Sequence, residues 1–340
     1  MTVRIAQIGV GRWGMNLLRN IRKTSGAELF AVCDADVAKV KTLGDEFNAR
    51  PYSDLDALLG DSEVDAVVIA TPSGQHFAHV MAALRAGKHV FVEKPMADSA
   101  ADALQMVSLA EEKCLTLMIG HTFLYNNVVS RIKDIIDSGD LGDIYYVYSQ
   151  RLNLGQFRSD SDVLWTLAPH DVSILNYWMG STPVSVSARG LTFAGRDPDH
   201  AEVCFANASY SGGRAANIHM SWLAPQKIRQ MVVVGSRKML LYDDTAPGHY
   251  IQIYDKGAEL DYTRPTVDAF DFSLRIRSGD IVMPHIALKE PLGVEMQHFV
   301  DCIKTGRTPR TDGRHGLEVT RVLEEMSKSM RRGGAEISLQ

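Results

Sequence analysis

No apolar run in this 340-residue chain approaches the roughly 18 to 20 residues that a bilayer-spanning helix needs, so no membrane span is expected. Charge of one sign is not in excess either. Lys and Arg number 36 against 41 Asp and Glu, a balance of −5. That leaves no electrostatic footprint for nucleic acid or an anionic lipid surface. Cysteine is scarce, and Cys33, Cys114, Cys204 and Cys302 are scattered without a CxxC or a zinc spacing. Disulfides and metal sites are therefore not expected, and the thiols read as reduced core residues of a cytoplasmic protein. The opening residues Met1-Thr2-Val3-Arg4-Ile5 run straight into a strand-like segment, so no secretory signal is expected. Internal repeats, low-complexity stretches and Pro-rich linkers are also lacking.

What is present is ordinary globular material, 45% hydrophobic and 23% charged, long enough for two domains. The first 120 residues alternate between short apolar runs and helix-period segments. Strands are expected at Val3–Ile8, Leu29–Cys33, Ala66–Ala70, His89–Val92 and Leu115–Ile119, with a short one near Arg50–Tyr52. Helices are expected at Gly14–Arg22, Val37–Phe47, Gln75–Ala86 and Ala100–Lys113. Continuous apolar strands linked by helices imply a parallel, doubly wound α/β sheet. After residue 121 the rhythm changes. Helices are expected at Val128–Asp137 and Pro169–Trp178, the second stopped by Gly180, and a strand at Ile144–Asn153. Ala201–Tyr210, Arg214–Trp222, Ile228–Val234 and Lys238–Tyr242 read as strands, with Gly212-Gly213 turning the chain between the first two. Helices near Val294–Lys304 and Gly316–Met330 close the chain. The expected architecture is a domain over residues 1–120 and an α+β domain over 121–340, with a large, mainly antiparallel open sheet. The closing helices are expected to pack back on the first domain.

Gly9-Val10-Gly11-Arg12-Trp13-Gly14 is a GxGxxG motif that follows the first strand and opens the first helix. Its glycines allow a tight turn, close approach of a pyrophosphate and close helix–strand packing, the signature of a dinucleotide-binding Rossmann domain. The helix amides and dipole then face the phosphates. Gly9, Gly11, Arg12, Trp13 and Gly14 are thus candidate cofactor residues. Asp34 ends the second strand, 20 positions after Gly14, where a carboxylate accepts the adenosine ribose hydroxyls and repels a 2′-phosphate. NAD is therefore favoured over NADP. Asp36 is the better placed helix cap, which leaves Asp34 free. Thr71, Pro72 and Ser73 follow the fourth strand at the ligand-binding edge of such sheets, and His76 lies in the next helical turn, as a cofactor neighbour or a surface or capping residue.

Glu93-Lys94-Pro95 follows the fifth strand at the same edge. Together with Gly9–Gly14, Thr71-Pro72 with His76, Pro169-His170-Asp171, and the closing stretches Glu295–Phe299 and Gly306–Pro309, it closely resembles the glucose–fructose oxidoreductase/inositol dehydrogenase (Gfo/Idh/MocA) family along essentially the whole chain. That resemblance implies that Lys94 binds and polarises the reacting hydroxyl or carbonyl, with Glu93 and Lys94 beside the cofactor, and that His170 transfers the proton. Hydride removal from a secondary alcohol does need a base titrating near neutrality. An ammonium also stabilises a developing alkoxide. The chain departs from the family where many members carry an aspartate one turn before this histidine, because position 166 is Thr166, which supplies no charge. Asp171 adjoins His170 on a different helix face and is the weaker relay candidate. His121 and Tyr125, after the sixth strand, either line the site or pack. Gln150–Gly155 and Leu164–His170 resemble the branch acting on the 3-hydroxyl of sugar nucleotides or related activated hexoses. Arg151, Asn153 and Arg158 offer phosphate- or hydroxyl-binding groups, or merely a polar sheet face. Ile218–Leu223 reads as a packing or oligomer-contact strand.

The leading expectation is thus an NAD-dependent sugar dehydrogenase whose substrate is a small sugar or sugar nucleotide. A dehydrogenase of a free polyol or sugar, such as an inositol or pentose, is the enzymatic alternative. An NAD-bound regulator is the non-catalytic one. A homodimer or homotetramer through the second domain's sheet is expected, since an open antiparallel face needs cover.

Overall fold

The computed structural model describes residues 2–155, 157, 161–194, 200–260 and 274–339. The chain divides into two compact units, residues 1–126 with 289–324 and residues 127–288 with 325–340. The first unit opens with strands β1 (Val3–Ile8), β2 (Ala27–Cys33), β3 (Arg50–Tyr52), β4 (Ala66–Ile69), β5 (His89–Glu93) and β6 (Leu117–Gly120). They form one sheet in the order β3-β2-β1-β4-β5-β6, every pair parallel. The connections are α1 (Gly14–Lys23), α2 (Val37–Phe47), α3 (Leu55–Leu59), α4 (His76–Arg85) and α5 (Ala100–Glu112). Every residue of β4 and β6 is buried, as a sheet covered on both faces requires. The strand order reverses between β1 and β4, and ligands of such sheets bind at the carboxyl ends beside that reversal.

The expected elements of residues 1–120 begin and end within two residues of the positions read from the sequence, and two differences have a local cause. The sixth strand starts at Leu117 rather than Leu115, because Cys114 takes a positive φ of 52° and the Leu115 amide closes the preceding helix on Ala110 O at 2.9 Å. Helix α3 was not expected. It is five residues long, too short to show periodicity, and is started by Asp54, whose carboxylate accepts from Ala57 N at 2.7 Å.

The second unit contains α6 (Asn127–Asp137), β7 (Ile144–Leu154), α7 (Val163–Met179), β8 (Ser185–Leu191), β9 (Val203–Ser209), β10 (Ala215–Ser221), β11 (Leu223–Gly235), β12 (Met239–Asp243), β13 (Ile251–Leu260) and β14 (Leu274–Val282). Closed by the terminal strand β15 (Ile337–Ser338), these strands make one nine-stranded sheet in the order β14-β13-β12-β11-β7-β10-β9-β8-β15. All pairs are antiparallel except β7 with β10. Gly212 and Gly213 turn β9 into β10 at φ of 77° and 76°, values that favour glycine. Helix α7 begins six residues before the expected Pro169. Asp162 caps it by accepting from Trp165 N at 2.9 Å, and Pro169 lies inside it. A proline there forfeits one helical hydrogen bond. Most α7 side chains are buried, and that packing outweighs the local penalty. Trp178 anchors α7 by donating to Val129 O at 3.1 Å and meeting the Tyr242 ring edge-on.

The last two helices are α8 (Pro291–Thr305) and α9 (Gly313–Arg331). Residues 289–324 belong to the first unit. There Phe299 of α8 meets Phe91 of β5 edge-on, ring centroids 5.8 Å apart and both side chains fully buried. Between the helices, Thr311 O accepts from Ile119 N of β6 at 2.8 Å and Thr311 Oγ1 donates to Ile119 O at 2.7 Å, which pins the closing segment to the last strand by an isolated bridge. No helix among the described residues is long and apolar enough to cross a membrane.

Candidate active site

The loop from β1 into α1 shows three glycines with different duties. Gly9 has φ +83°, and a Cβ on it would lie 2.7 Å from Ala70 O. A Cβ on Gly14 would lie 2.1 Å from Gly9 O. Both positions are thus closed to side chains by the fold itself. A Cβ on Gly11 would meet no other heavy atom of the described chain within 4 Å. That open space, above the amino end of α1, fits a pyrophosphate approaching the backbone. Asp34 stands beside the loop. Its Oδ2 accepts from Val10 N at 2.9 Å and its Oδ1 from Asp36 N at 3.1 Å. Asp36, not Asp34, caps α2 through Lys39 N at 3.0 Å. The residues present therefore fit a dinucleotide.

Thr71, Pro72 and Ser73 follow β4, and Thr71 Oγ1 lies 3.1 Å from His79 Nδ1. His76 is buried, with Nδ1 2.8 Å from Pro95 O and Nε2 3.0 Å from Thr71 O. Both ring nitrogens are thus engaged within the chain, where they tie the loop after β4 to the loop after β5. Burial lowers the His76 pKa, and the two carbonyl bonds oppose that shift.

Glu93 ends β5 and Lys94 follows it. The Glu93 carboxyl is buried, accepts from Trp13 Nε1 at 2.5 Å and from the Lys94 amide at 3.2 Å. Burial pushes its pKa up to about 7, against the Trp13 bond. Lys94 itself is half-buried. His121, 2% exposed, meets the His315 ring edge-on at 5.2 Å. Burial, His315 and the Lys94 ammonium hold the His121 pKa well below the usual range, and burial takes His315 down to about 4. Among the described residues neither His121 nitrogen has a hydrogen-bond partner. Tyr125 turns its hydroxyl inward to Thr311 Oγ1 at 3.0 Å rather than outward. Beside them Glu295 of α8 is fully buried and accepts from Thr122 Oγ1 at 2.7 Å, with its pKa raised by burial and by the Glu93 charge. Glu295 and His315 carried no assigned role in the sequence. The first appeared only inside a closing motif, and the second is a lone histidine whose partner is 194 positions away in the chain.

In the second unit, His170 is half-buried on α7, next to Pro169. Asp171 is buried and binds Arg151 Nε at 2.5 Å and Ser149 Oγ at 2.6 Å. Arg151, expected either as a phosphate- or hydroxyl-binding group or as part of a polar sheet face, is buried in an internal ion pair, because a buried carboxylate on α7 requires a cation. Asn153, further along β7, is exposed. Thr166 is half-buried, its hydroxyl 3.4 Å from Ser161 Oγ. Arg158 lies outside the described residues.

Residues 3–121 match the NAD-binding Rossmann domain of the Gfo/Idh/MocA oxidoreductase family, and residues 129–241 match that family's C-terminal domain. The chain belongs to this family. It is 26% identical to 4-carboxy-2-hydroxymuconate-6-semialdehyde dehydrogenase of Sphingobium sp., over 98% of this chain and 100% of the relative. It is 28% identical to UDP-N-acetylglucosamine 3-dehydrogenase of Acidithiobacillus ferrooxidans, over 93% and 94%. A solved structure of the latter enzyme superposes with a TM-score of 0.79 at 24% identity, covering 98% of this chain and 99% of that one, a likeness of fold.

The glycines separate cleanly by experiment. Gly11→Ala should weaken NAD binding about tenfold or more in calorimetry and leave Tm within about 1 °C. Gly14→Ala should instead cost roughly 1–3 kcal/mol of stability in denaturant unfolding. The buried imidazoles set a pH dependence. His315 titrates near 4 when folded, against 6.5 ordinarily, so the unfolded chain takes up its proton first as pH falls. The stability it contributes is whole above about pH 6.5 and is lost between there and about 4. His315→Gln should therefore reduce the loss of unfolding free energy between pH 7.5 and pH 5 by about 1–2 kcal/mol.

Proposed function

We propose that the protein is an NAD-dependent dehydrogenase that interconverts a secondary alcohol of a sugar and the corresponding ketone, with C3 of a nucleotide-linked or phosphorylated hexose as the reacting carbon. The observation that carries this reading is the Trp13–Glu93 bond, which sets the lysine-bearing loop directly beside the dinucleotide loop. Bound nicotinamide supplies the hydride acceptor. Lys94 orients the hydroxyl and stabilises the alkoxide charge that develops as the C–H bond breaks. His170 takes the hydroxyl proton, so alcohol and NAD+ give ketone, NADH and one proton. With Thr166 in place of a carboxylate, this proton transfer rests on His170 without a charged neighbour at that position. Asp34, fixed by two backbone amides, favours NAD, because its charge repels a 2′-phosphate. The sugar-nucleotide relative supports the substrate class. A smaller, non-nucleotide substrate is the second reading, favoured by the full-length similarity to a semialdehyde dehydrogenase.

We also assign the open face of the nine-stranded sheet to a second copy of the chain. Tyr146, Tyr148 and Phe205 are exposed there, Tyr146 and Tyr148 stack at 6.5 Å, and Phe205 stacks on His219 at 4.4 Å. Aromatic exposure on this scale marks an interface.

NADH formation, followed by absorbance with UDP- and dTDP-sugars, hexose phosphates and free polyols, tests the reaction. Turnover is expected with an activated hexose. Lys94→Ala should lower kcat by on the order of 10²–10⁴-fold while NAD affinity stays within about twofold. Turnover that survives in this variant contradicts the assignment. For the assembly, light scattering should show a dimer or tetramer that Tyr148→Lys dissociates, and a monomeric parent chain would refute it.

A further inference from the structure

Trp13 is 47% exposed, yet its indole N–H is directed at a buried carboxylate from another loop. The second oxygen of that carboxylate takes the amide of Lys94. Gly120 on β6 makes the room, since a Cβ there would lie 3.1 Å from the Glu93 carboxyl. The charged and titratable groups that bear on Glu93 are Lys94 from its own loop and Glu295 from α8. Glu295 bears on it from full burial, with Thr122 bonded to Oε2 and, among the described residues, no partner for Oε1. Two ionised carboxylates so placed would repel at low dielectric.

We propose that Glu93 is a positioning residue for Lys94: its carboxyl latches the dinucleotide loop, through Trp13, to the lysine-bearing loop, while Glu295 acts as the neutral acid that keeps one negative charge in the pair. The proposal rests on the reading of Lys94 as the group that orients the substrate hydroxyl. A carboxylate accepts both bonds more strongly than a carboxylic acid does. The latch is therefore tight when Glu93 is ionised and slack when it is protonated, and the change falls near neutrality, because burial places Glu93 at about 7. Cofactor seating and lysine placement are coupled through one side chain.

The first arm of the test uses the ligand-free protein. Its tryptophan emission, titrated from pH 5.5 to 8.5, should show a transition near pH 7 that disappears in both Trp13→Phe and Glu93→Gln. The second arm is the pH profile of turnover. Glu93→Gln should lower kcat about 10- to 100-fold, change KM little and flatten the acid limb. Trp13→Phe, at an exposed position, should shift that limb to higher pH, since the lost donor favoured the charged form. Glu295→Ala should lower kcat, and Glu295→Gln, which keeps a neutral hydrogen-bonding group, should recover about tenfold of the loss. An emission transition that persists in Glu93→Gln overturns the latch, as does a Glu93→Gln enzyme with unchanged kcat and pH profile. If instead Lys94→Ala retains turnover, the reading of Lys94 fails while the emission arm still decides whether the latch exists.

Discussion

Helix α1 begins where it does only because residues 9 and 14 have no side chain. A Cβ on Gly14 would intrude on the Gly9 carbonyl, and one on Gly9 would intrude on the backbone after β4. This backbone-to-backbone approach fixes the amino end of α1 over the sheet edge, where its unpaired amides and dipole favour an anion. Asp34 is held against the same loop by the Val10 amide, and Trp13 extends from it to Glu93. The carboxylate, the indole and the lysine-bearing loop thus take their positions from one steric constraint.

Behind that edge, burial in the first unit shifts titratable groups toward their neutral forms, with Glu93 balanced near pH 7. Glu93 and Glu295 are held toward their acid forms, and His121 and His315 toward their uncharged forms, each chiefly by burial. The closing segment supplies Glu295 and His315, and anchors itself through Phe299 and Thr311. The second unit solves the same problem differently. It neutralises Asp171 with Arg151 in a buried ion pair, whose rupture would leave an uncompensated charge.

What could be read from the sequence was whatever depends on neighbours in sequence. Val3–Ile8 and Val37–Phe47 emerged with the expected ends, because apolar runs and the Asp36 cap are local signals. The glycine loop and the place of Lys94 after β5 were legible for the same reason. Helix α7 was read six residues short, since Pro169 is a local stop signal that tertiary burial overrides. The strand-like runs legible up to Tyr254 reach only the first part of β13, and β14 beyond them was not foreseen. The Arg151–Asp171 pair, the two carbonyls on His76 and the meeting of Glu93 with Trp13 join distant positions, and no spacing announces them.

If the protein is the NAD-dependent dehydrogenase proposed above, the glycine loop and Asp34 form a site for NAD, with the acidic side chain set against a 2′-phosphate. Calorimetric titration of the purified protein with NAD and then NADP, in the same buffer, measures this without reference to any substrate. Binding of NAD about tenfold or more tighter than NADP is the predicted result. NADP binding equal to or tighter than NAD would contradict it.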